Sequence, residues 1–282
     1  TRPPASGAPS TPHRRACVPP ALTPRMETDA DDRVAAAVAA LSEGATERAG
    51  DEFTRAAWLN LADPRPSESL SPFAADDRGW VGAGLRWLTV AAVAYRVAGR
   101  DARAARRGAQ GIAVARDLHT ALETPAQRAC LDEFGADFRA VAGMDGVEAA
   151  YTDSADAYRT AGDAVDDPHR LATSPLFEAA TAPIKQVARG PANGEIAVEW
   201  DDLHGDDPAD PGPFLAARAT YKRQRFPSLV ARVVDEGRLA APRGTTAYGD
   251  EHHHCPACGS SDVNWIAGHV LCLRCSAPME RA

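Results

Sequence analysis

The chain has 282 residues, of which 39 are acidic and 31 basic, so its formal net charge is −8. This length allows one large domain or two modest ones. No apolar run approaches the roughly 18 residues needed to cross a bilayer, and no signal peptide is recognisable, so we expect a cytoplasmic protein. The six cysteines are too unevenly placed for a disulfide framework.

The basic residues are almost all arginine, since only Lys185 and Lys222 are lysine. This acidic, lysine-poor and alanine-rich composition is similar to that of proteins from salt-accumulating halophiles, in which a high surface charge maintains solubility. A GC-rich genome favours Arg and Ala codons and would produce the same bias. Composition leaves both origins open.

Residues 1–25 differ from the rest, because they contain seven prolines, four arginines and no acidic residue. A segment of this kind cannot bury a core, so we expect a disordered basic tail. Alternatively, the start of the chain is mis-assigned, since "METDADDRVAAAVAAL" at Met26 reads as a natural start followed by a helix.

Residues 26–189 show helical periodicity and are predicted to form a helical-hairpin domain. Val34, Val38 and Leu41 fall on one helix face, and Gly44 is suited to end that helix. Pro183 should kink or split a late helix. Further helix starts are predicted at Asp101, Thr124, Asp145 and Ser174.

A short motif repeats within this region. "AVAYRVAG" at 92–99 and "ADAYRTAG" at 155–162 share their small residues, the aromatic residue and the final glycine, and "ADFRAVAG" at 136–143 is a looser copy. The motif resembles the first helix of a tetratricopeptide-type repeat. That resemblance implies a bundle or short solenoid of stacked helical hairpins that binds other proteins. An ordinary alanine-rich helical bundle remains the alternative.

Residues 190–212 differ again in character. "GEIAVEW" alternates apolar and polar residues and predicts a short strand containing Ile196, Val198 and Trp200. Seven acidic residues and no Lys or Arg lie between Glu195 and Asp210, which indicates an acidic linker.

Residues 213–243 are basic and are predicted to be helical, with a break or kink at Pro227 and a second short helix in "SLVARVVDEG". Arg218, Lys222 and Arg225 lie at i, i+4 and i+7, and Arg223 is adjacent. These cations, together with Arg274 further along the chain, are candidate contacts to nucleic-acid phosphates, for example in a helix-turn-helix or winged module. The alternative is internal pairing with the acidic residues immediately upstream.

Residues 250–282 contain two Cys-x2-Cys pairs separated by 13 residues. Gly259 supports the tight turn after the first pair, and two short strands around Ala267–Gly268 would bring the pairs together. "CPACG" and "CLRC" resemble the two halves of a zinc ribbon, and four thiolates favour zinc, with iron in a rubredoxin-like site as the lesser option. The predicted ligands are Cys255, Cys258, Cys272 and Cys275.

Two neighbouring features of this segment have alternative interpretations. His252, His253 and His254 are expected to be solvated loop residues rather than metal ligands, since the four cysteines complete a tetrahedral set. Trp265 is expected to form the aromatic core of the ribbon, and the alternative is an exposed surface for base stacking.

The sequence contains no phosphate-binding Gly-rich loop, no nucleophile elbow, no His-Glu-x-x-His and no dinucleotide fingerprint. We therefore expect a non-enzymatic, zinc-binding adaptor or scaffold with a protein partner. The alternative is a nucleic-acid-associated regulator that uses the basic helix and the ribbon. The sequence leaves the oligomeric state open.

Overall fold

The computed structural model describes residues 23–62, 79–122, 124–190 and 194–282. The expected tail at 1–25 lies outside the described residues, apart from the last three positions, which begin the first helix. The helices are α1 Thr23–Ser42, α2 Thr46–Ala62, α3 Gly79–Val97, α4 Asp101–His119, α5 Pro125–Ala142, α6 Val147–Ala161, α7 Pro168–Ala172, α8 Pro175–Val187, α9 Trp200–Leu203 and α10 Pro211–Asp235. The strands are β1 Thr245–Ala247, β2 His253–His254, β3 Val263–Ile266, β4 His269–Cys272 and β5 Glu280–Arg281.

Each helix from α1 to α5 packs against the next one in the chain, α10 packs against α6, and α8 packs against α3. Their apolar faces form one continuous core. This arrangement confirms the predicted fold class, which is mainly α followed by a small β region. Within the described part of the chain, no helix combines the length and the apolar character that a membrane span requires.

The repeated motif places its two tyrosines in equivalent positions. Tyr95 on α3 donates a hydrogen bond to Asp51 on α2 at 2.7 Å, and Tyr158 on α6 donates one to Glu133 on α5 at 2.8 Å. In each copy the tyrosine therefore joins its own helix to the preceding one. The small residues of the motif allow close packing, because a Cβ on Gly162 would lie 2.3 Å from the backbone nitrogen of Gly212 at the start of α10.

The sequence predicted a break or a kink at Pro227, and the break is wrong, since α10 is one helix of 25 residues. The helix α8 likewise runs through Pro183 without being split. A proline inside a helix costs roughly 3 kcal/mol. In α10 one buried apolar residue lies on each side of Pro227, Phe226 before it and Val230 after it, and their burial offsets that cost.

The segment from 194 to 210 contains less strand than predicted. Ile196 forms only an isolated antiparallel bridge with Arg189, and Trp200 begins α9 instead of ending a strand. Glu199 and Asp202 form a capping box at this helix, in which each side chain accepts a hydrogen bond from the backbone of the other residue. Capping of this kind favours a helical turn over continued extension.

The C-terminal strands form two small antiparallel sheets, one with the order β1-β3-β4 and the other pairing β2 with β5. Ala267 and Gly268 connect β3 to β4, both with positive φ (49° and 77°), which confirms the predicted hairpin and matches the two-residue turn that suits twisted strands. The ribbon, residues 245–282, contacts α1, where His269 Nε2 lies 3.0 Å from the carbonyl oxygen of Ala35. Val38 and Leu271 share a small apolar cluster at the same contact.

Candidate metal centre

The four predicted cysteines come together at one point of the ribbon. Their sulfur atoms all lie within 4.8 Å of one another. Cys255 Sγ is 3.4 Å from Cys275 Sγ, and Cys258 Sγ is 3.6 Å from Cys272 Sγ, whereas a disulfide requires about 2.05 Å. The sulfurs are therefore unbonded to each other and are grouped as ligands of a single metal ion would be.

Two similar turns present the four sulfurs, and we call them the first knuckle (255–260) and the second knuckle (272–277). Gly259 donates its backbone N–H to the Cys255 carbonyl at 2.9 Å, and Ser276 does the same to Cys272 at 2.9 Å. Each of these residues follows the first cysteine of its pair by four positions, and both have positive φ, 73° for Gly259 and 55° for Ser276. The expectation for Gly259 is confirmed, while Ser276 carried no recognisable sequence signal because serine rarely adopts this conformation.

The knuckle backbones influence the acidity of the thiols. Burial opposes ionisation of Cys255, but hydrogen bonds from the backbone amides of Cys258 and Ala257 lower the pKa of this thiol below its usual value. Burial raises the pKa of Cys275. A divalent cation supplies the positive charge that makes coordinating thiols ionise, so metal binding at this site releases protons.

Arg189 connects the second knuckle to the helical body. Its side chain is 5% exposed, and its guanidinium donates to the carbonyl oxygens of Leu273 in the knuckle and Ala241 in the preceding segment. It also donates to Gly194 at 3.2 Å. A Cβ on Gly194 would lie 2.0 Å from the Leu273 oxygen, so Gly194 lies closely against the knuckle.

Asp262 supports the same knuckle from within the ribbon. Its backbone carbonyl accepts a hydrogen bond from Leu273 N at 2.8 Å, and its carboxylate accepts one from Arg274 Nε at 2.8 Å. Arg274 is exposed, as expected, and its guanidinium is paired with the Asp262 carboxylate. Hydrogen bonds in the layer around metal ligands orient those ligands.

The three histidines lie outside the cysteine cluster. His253 and His254 form β2, with His253 Nδ1 2.9 Å from Asp250 and His254 Nε2 3.4 Å from Glu280. The half-buried ring of Trp265 makes an edge contact with His253 at a centroid distance of 6.2 Å. Trp265 is thus only partly enclosed, rather than the fully buried centre of the ribbon.

The basic stripe of α10 mostly faces inward. Arg218 is 2% exposed and Lys222 is fully buried. Arg218 Nε lies 2.7 Å from Glu133, Lys222 Nζ lies 2.8 Å from the same carboxylate, and Lys222 Nζ lies 2.6 Å from Asp137. Buried in these ion pairs, Arg218 and Lys222 are not placed to contact phosphates. The alternative of internal pairing agrees with the structure, but the partners lie on α5 rather than among the acidic residues at 195–210.

This buried network contains the ionisable residues that sequence reasoning missed, Glu133 and Asp137 on α5. Tyr151 donates a 2.6 Å hydrogen bond to Asp137. The spacing of residues in α10 contained a usable signal, because positions 214, 218, 222, 226 and 230 follow one another at intervals of four. The first and the last two of these are apolar, so the two cations occupy the same helix face as the core residues.

The remaining candidate contacts on α10 lie closer to solvent. Arg223 is half-buried and donates a hydrogen bond to Thr152 Oγ1 at 3.1 Å, while Arg225 is exposed. The five predicted nucleic-acid contacts therefore do not form one surface, because two of them are inside the helical core.

Comparison with protein-family models, with curated proteins and with solved structures finds no match to this chain.

Proposed function

We propose that this protein is a zinc-binding adaptor, in which a metal-stabilised ribbon is fixed to a helical body that binds a protein partner. The convergence of four cysteine sulfurs within 4.8 Å carries the metal part of this proposal. Tetrahedral zinc with Zn–S bonds of 2.3 Å requires sulfurs about 3.8 Å apart. Two of the separations, 3.4 Å between Cys255 and Cys275 and 3.6 Å between Cys258 and Cys272, are close to that value.

The metal in this proposal has a structural role. Four protein ligands fill a tetrahedral site and leave no position for a reactive water, so metal-assisted hydrolysis is not proposed. The ribbon is too small to be stabilised by its own apolar core, and binding free energy from the metal supplies the difference. The four cysteines, Cys255, Cys258, Cys272 and Cys275, would hold the ion.

The adaptor role is supported by the packed series of helices from α1 to α6. Helix pairs of this kind offer extended side-chain surfaces that suit protein binding. The nucleic-acid alternative depended on a basic helix that now has Arg218 and Lys222 buried in ion pairs. We therefore propose a protein partner rather than a nucleic acid, and no enzymatic activity.

Metal content tests the first part of the proposal. The wild-type protein, purified without a metal-affinity tag, should contain about one zinc per chain by plasma mass spectrometry, and Cys272→Ser should contain far less. Cys130→Ser is the matched control, because Cys130 is buried in the helical body, where its sulfur makes long contacts to Leu176 O at 4.0 Å and to Arg218 at 3.9 Å. Unchanged zinc in Cys272→Ser would refute the ligand assignment, and bound iron in the wild type would refute the choice of metal.

Partner capture tests the second part. The tagged full chain would be incubated with native extract at high salt, with and without nuclease, and both protein and nucleic acid would be identified in the bound fraction. A protein retained after nuclease treatment is the expected result. Retention of nucleic acid alone would favour the regulator alternative.

A further inference from the structure

A groove of about 470 Å³ runs along α5 between α4 and α6. Its floor contains Leu131 and Gly135 from α5, and its walls include Ile112 from α4 and Ala150 from α6. Gly135 leaves the floor open, since a Cβ built there would meet no atom within 4 Å. The centre of the groove is thus apolar and uncrowded.

Charged side chains of both signs line this groove. Asp132 on α5 and Asp153 on α6 lie at one end, where His119 Nε2 is 3.6 Å from Asp132. Arg139 lies seven residues after Asp132, which is about 10 Å along the helix. Arg116 stands one turn before His119 on α4, on the side towards Arg139.

Two of these charges lack partners within the described residues. Arg116 and Asp153 are exposed, and across the described ranges neither of them forms an ion pair or a side-chain hydrogen bond. Arg139 donates only to a backbone oxygen, that of Asp145 at 3.3 Å. The groove therefore offers an acidic end and a basic end with charge available for a ligand.

We infer that this groove binds a short extended segment of a partner protein, with a Lys or Arg side chain at the acidic end and an Asp or Glu side chain at the basic end. Residues four apart in an extended chain point the same way and are about 13 Å apart, which suits two charges separated by the apolar floor. The volume of the groove lies within the range of ordinary ligand sites. A helical segment about 10 Å wide would fill it with little more than one turn, so an extended segment suits it better. This inference rests on the proposed adaptor role and names the surface that would perform it.

Direct peptide binding tests the inference. The probe is a fluorescent, end-blocked peptide, Ala-Lys-Val-Ala-Val-Glu-Ala, and its controls replace the two charged residues by Lys and Lys or by Glu and Glu. We expect the mixed-charge peptide to bind the full chain about tenfold more tightly than either control at low salt, because each control replaces one exposed ion pair by a contact between like charges. Equal affinities for the three peptides, or no binding of any, would overturn the inference.

Variants of the groove separate binding there from binding elsewhere. Gly135→Leu fills the floor, and Gly135→Ala adds only a methyl group; both favour the helix, so neither should unfold the protein. Binding should be lost in Gly135→Leu and kept in Gly135→Ala. Asp153→Lys should shift the preference towards the peptide with two Glu residues. Binding that persists in Gly135→Leu would place the peptide elsewhere and overturn the assignment.

The same variants distinguish this inference from the adaptor proposal. If wild type and Gly135→Leu capture the same protein from extract, the adaptor role stands and the groove assignment fails. If neither captures a protein, the adaptor role itself fails. If the wild type binds the mixed-charge peptide and only the wild type captures a protein, both stand.

Discussion

Lys222 and Asp137 form an ion pair of 2.6 Å in which neither side chain is accessible to solvent. The pair joins α10 to α5 across 85 positions of the chain. Glu133 and Arg218 complete the group, so when both carboxylates are ionised, above about pH 6, two carboxylates and two cations are buried together with no net charge. A buried cation without its partners costs far more than an exposed one, and this network should therefore fix the position of α10.

Replacing either lysine of the chain by methionine tests this network. Lys222→Met leaves Asp137 and Glu133 short of a cation, and we expect the free energy of unfolding to fall by about 3–5 kcal/mol. Lys185→Met is the matched control, because Lys185 is half-buried and outside the network, and it should change stability by less than about 0.5 kcal/mol. Urea unfolding measures both, and similar effects of the two changes would contradict the prediction.

The network should also make stability depend on pH. Burial opposes ionisation of both carboxylates, but Arg218 and Lys222 outweigh it at Glu133 and lower its pKa to about 2. At Asp137 burial, reinforced by the nearby Glu133, outweighs Lys222 and raises the pKa to about 6. The folded state thus holds a proton on Asp137 between about pH 4 and pH 6, where the unfolded chain has released it.

From this difference, the contribution of Asp137 to stability is complete below about pH 4 and declines as pH rises through 6, by about 1.4 kcal/mol per pH unit. Glu133 has the opposite effect because its pKa is lowered. Its contribution to stability is present above about pH 4.5 and is lost as the pH falls towards 2. Urea unfolding of wild type and Asp137→Asn at several pH values isolates the first effect. The wild type should lose stability relative to Asp137→Asn as the pH rises from 4 to 6.5. A difference between the two proteins that stays constant over this range would refute the prediction.

Replacing Gly259 or Gly135 by alanine should change the stability of the protein in opposite directions. Neither Gly259 nor Gly135 would bring a Cβ within 4 Å of another group, so only backbone conformation differs. Gly259 has φ of 73°, and Gly259→Ala should cost about 1–2 kcal/mol and weaken metal binding in a chelator competition. Gly135 lies inside α5, where Gly135→Ala should stabilise the fold by about 0.5–1 kcal/mol. Effects of the same sign would show that the first knuckle does not require the left-handed conformation.

Arg189 should position the second knuckle. Arg189→Lys keeps the charge but removes the guanidinium group, whose two Nη atoms donate to the carbonyl oxygens of Leu273 and Ala241. Loss of such surrounding hydrogen bonds typically weakens metal binding by about 10–100-fold, and chelator competition would measure the change. Arg238→Lys is the control, since Arg238 is half-buried and the one hydrogen bond of its side chain among the described residues is long, 3.4 Å to Arg274 O. An unchanged metal affinity in Arg189→Lys would assign Arg189 to the helical body alone.

The sequence predicted the features that depend on near neighbours. Cysteines two residues apart, a turn at Ala267–Gly268 and a helix start at Thr124 each follow from local geometry, and the structure contains all three. It did not predict features that depend on distant partners. For the cations of α10 the sequence offered two kinds of partner, nucleic-acid phosphates or the acidic residues immediately upstream, whereas Glu133, the actual partner, lies 85 positions away from Arg218.

Helix continuity illustrates the same limit. Pro227 and Pro183 carry a local penalty, and local reasoning predicts a break. Burial of Phe226 and Val230 against other helices enters only once the whole core is assembled, and it decides the outcome. Local signals were thus sufficient for the turns of the ribbon and insufficient for the long helix that crosses the core.

The contact between His269 and the carbonyl of Ala35 joins positions 234 apart in the chain. During synthesis, α1 is made long before the strand that covers this part of its surface. Until then Val38, which is fully buried in the finished fold, lacks Leu271 as its neighbour. Contacts of such high sequence separation form late and slow folding. The helix α1 should therefore reach its final packing only after the second knuckle has been translated.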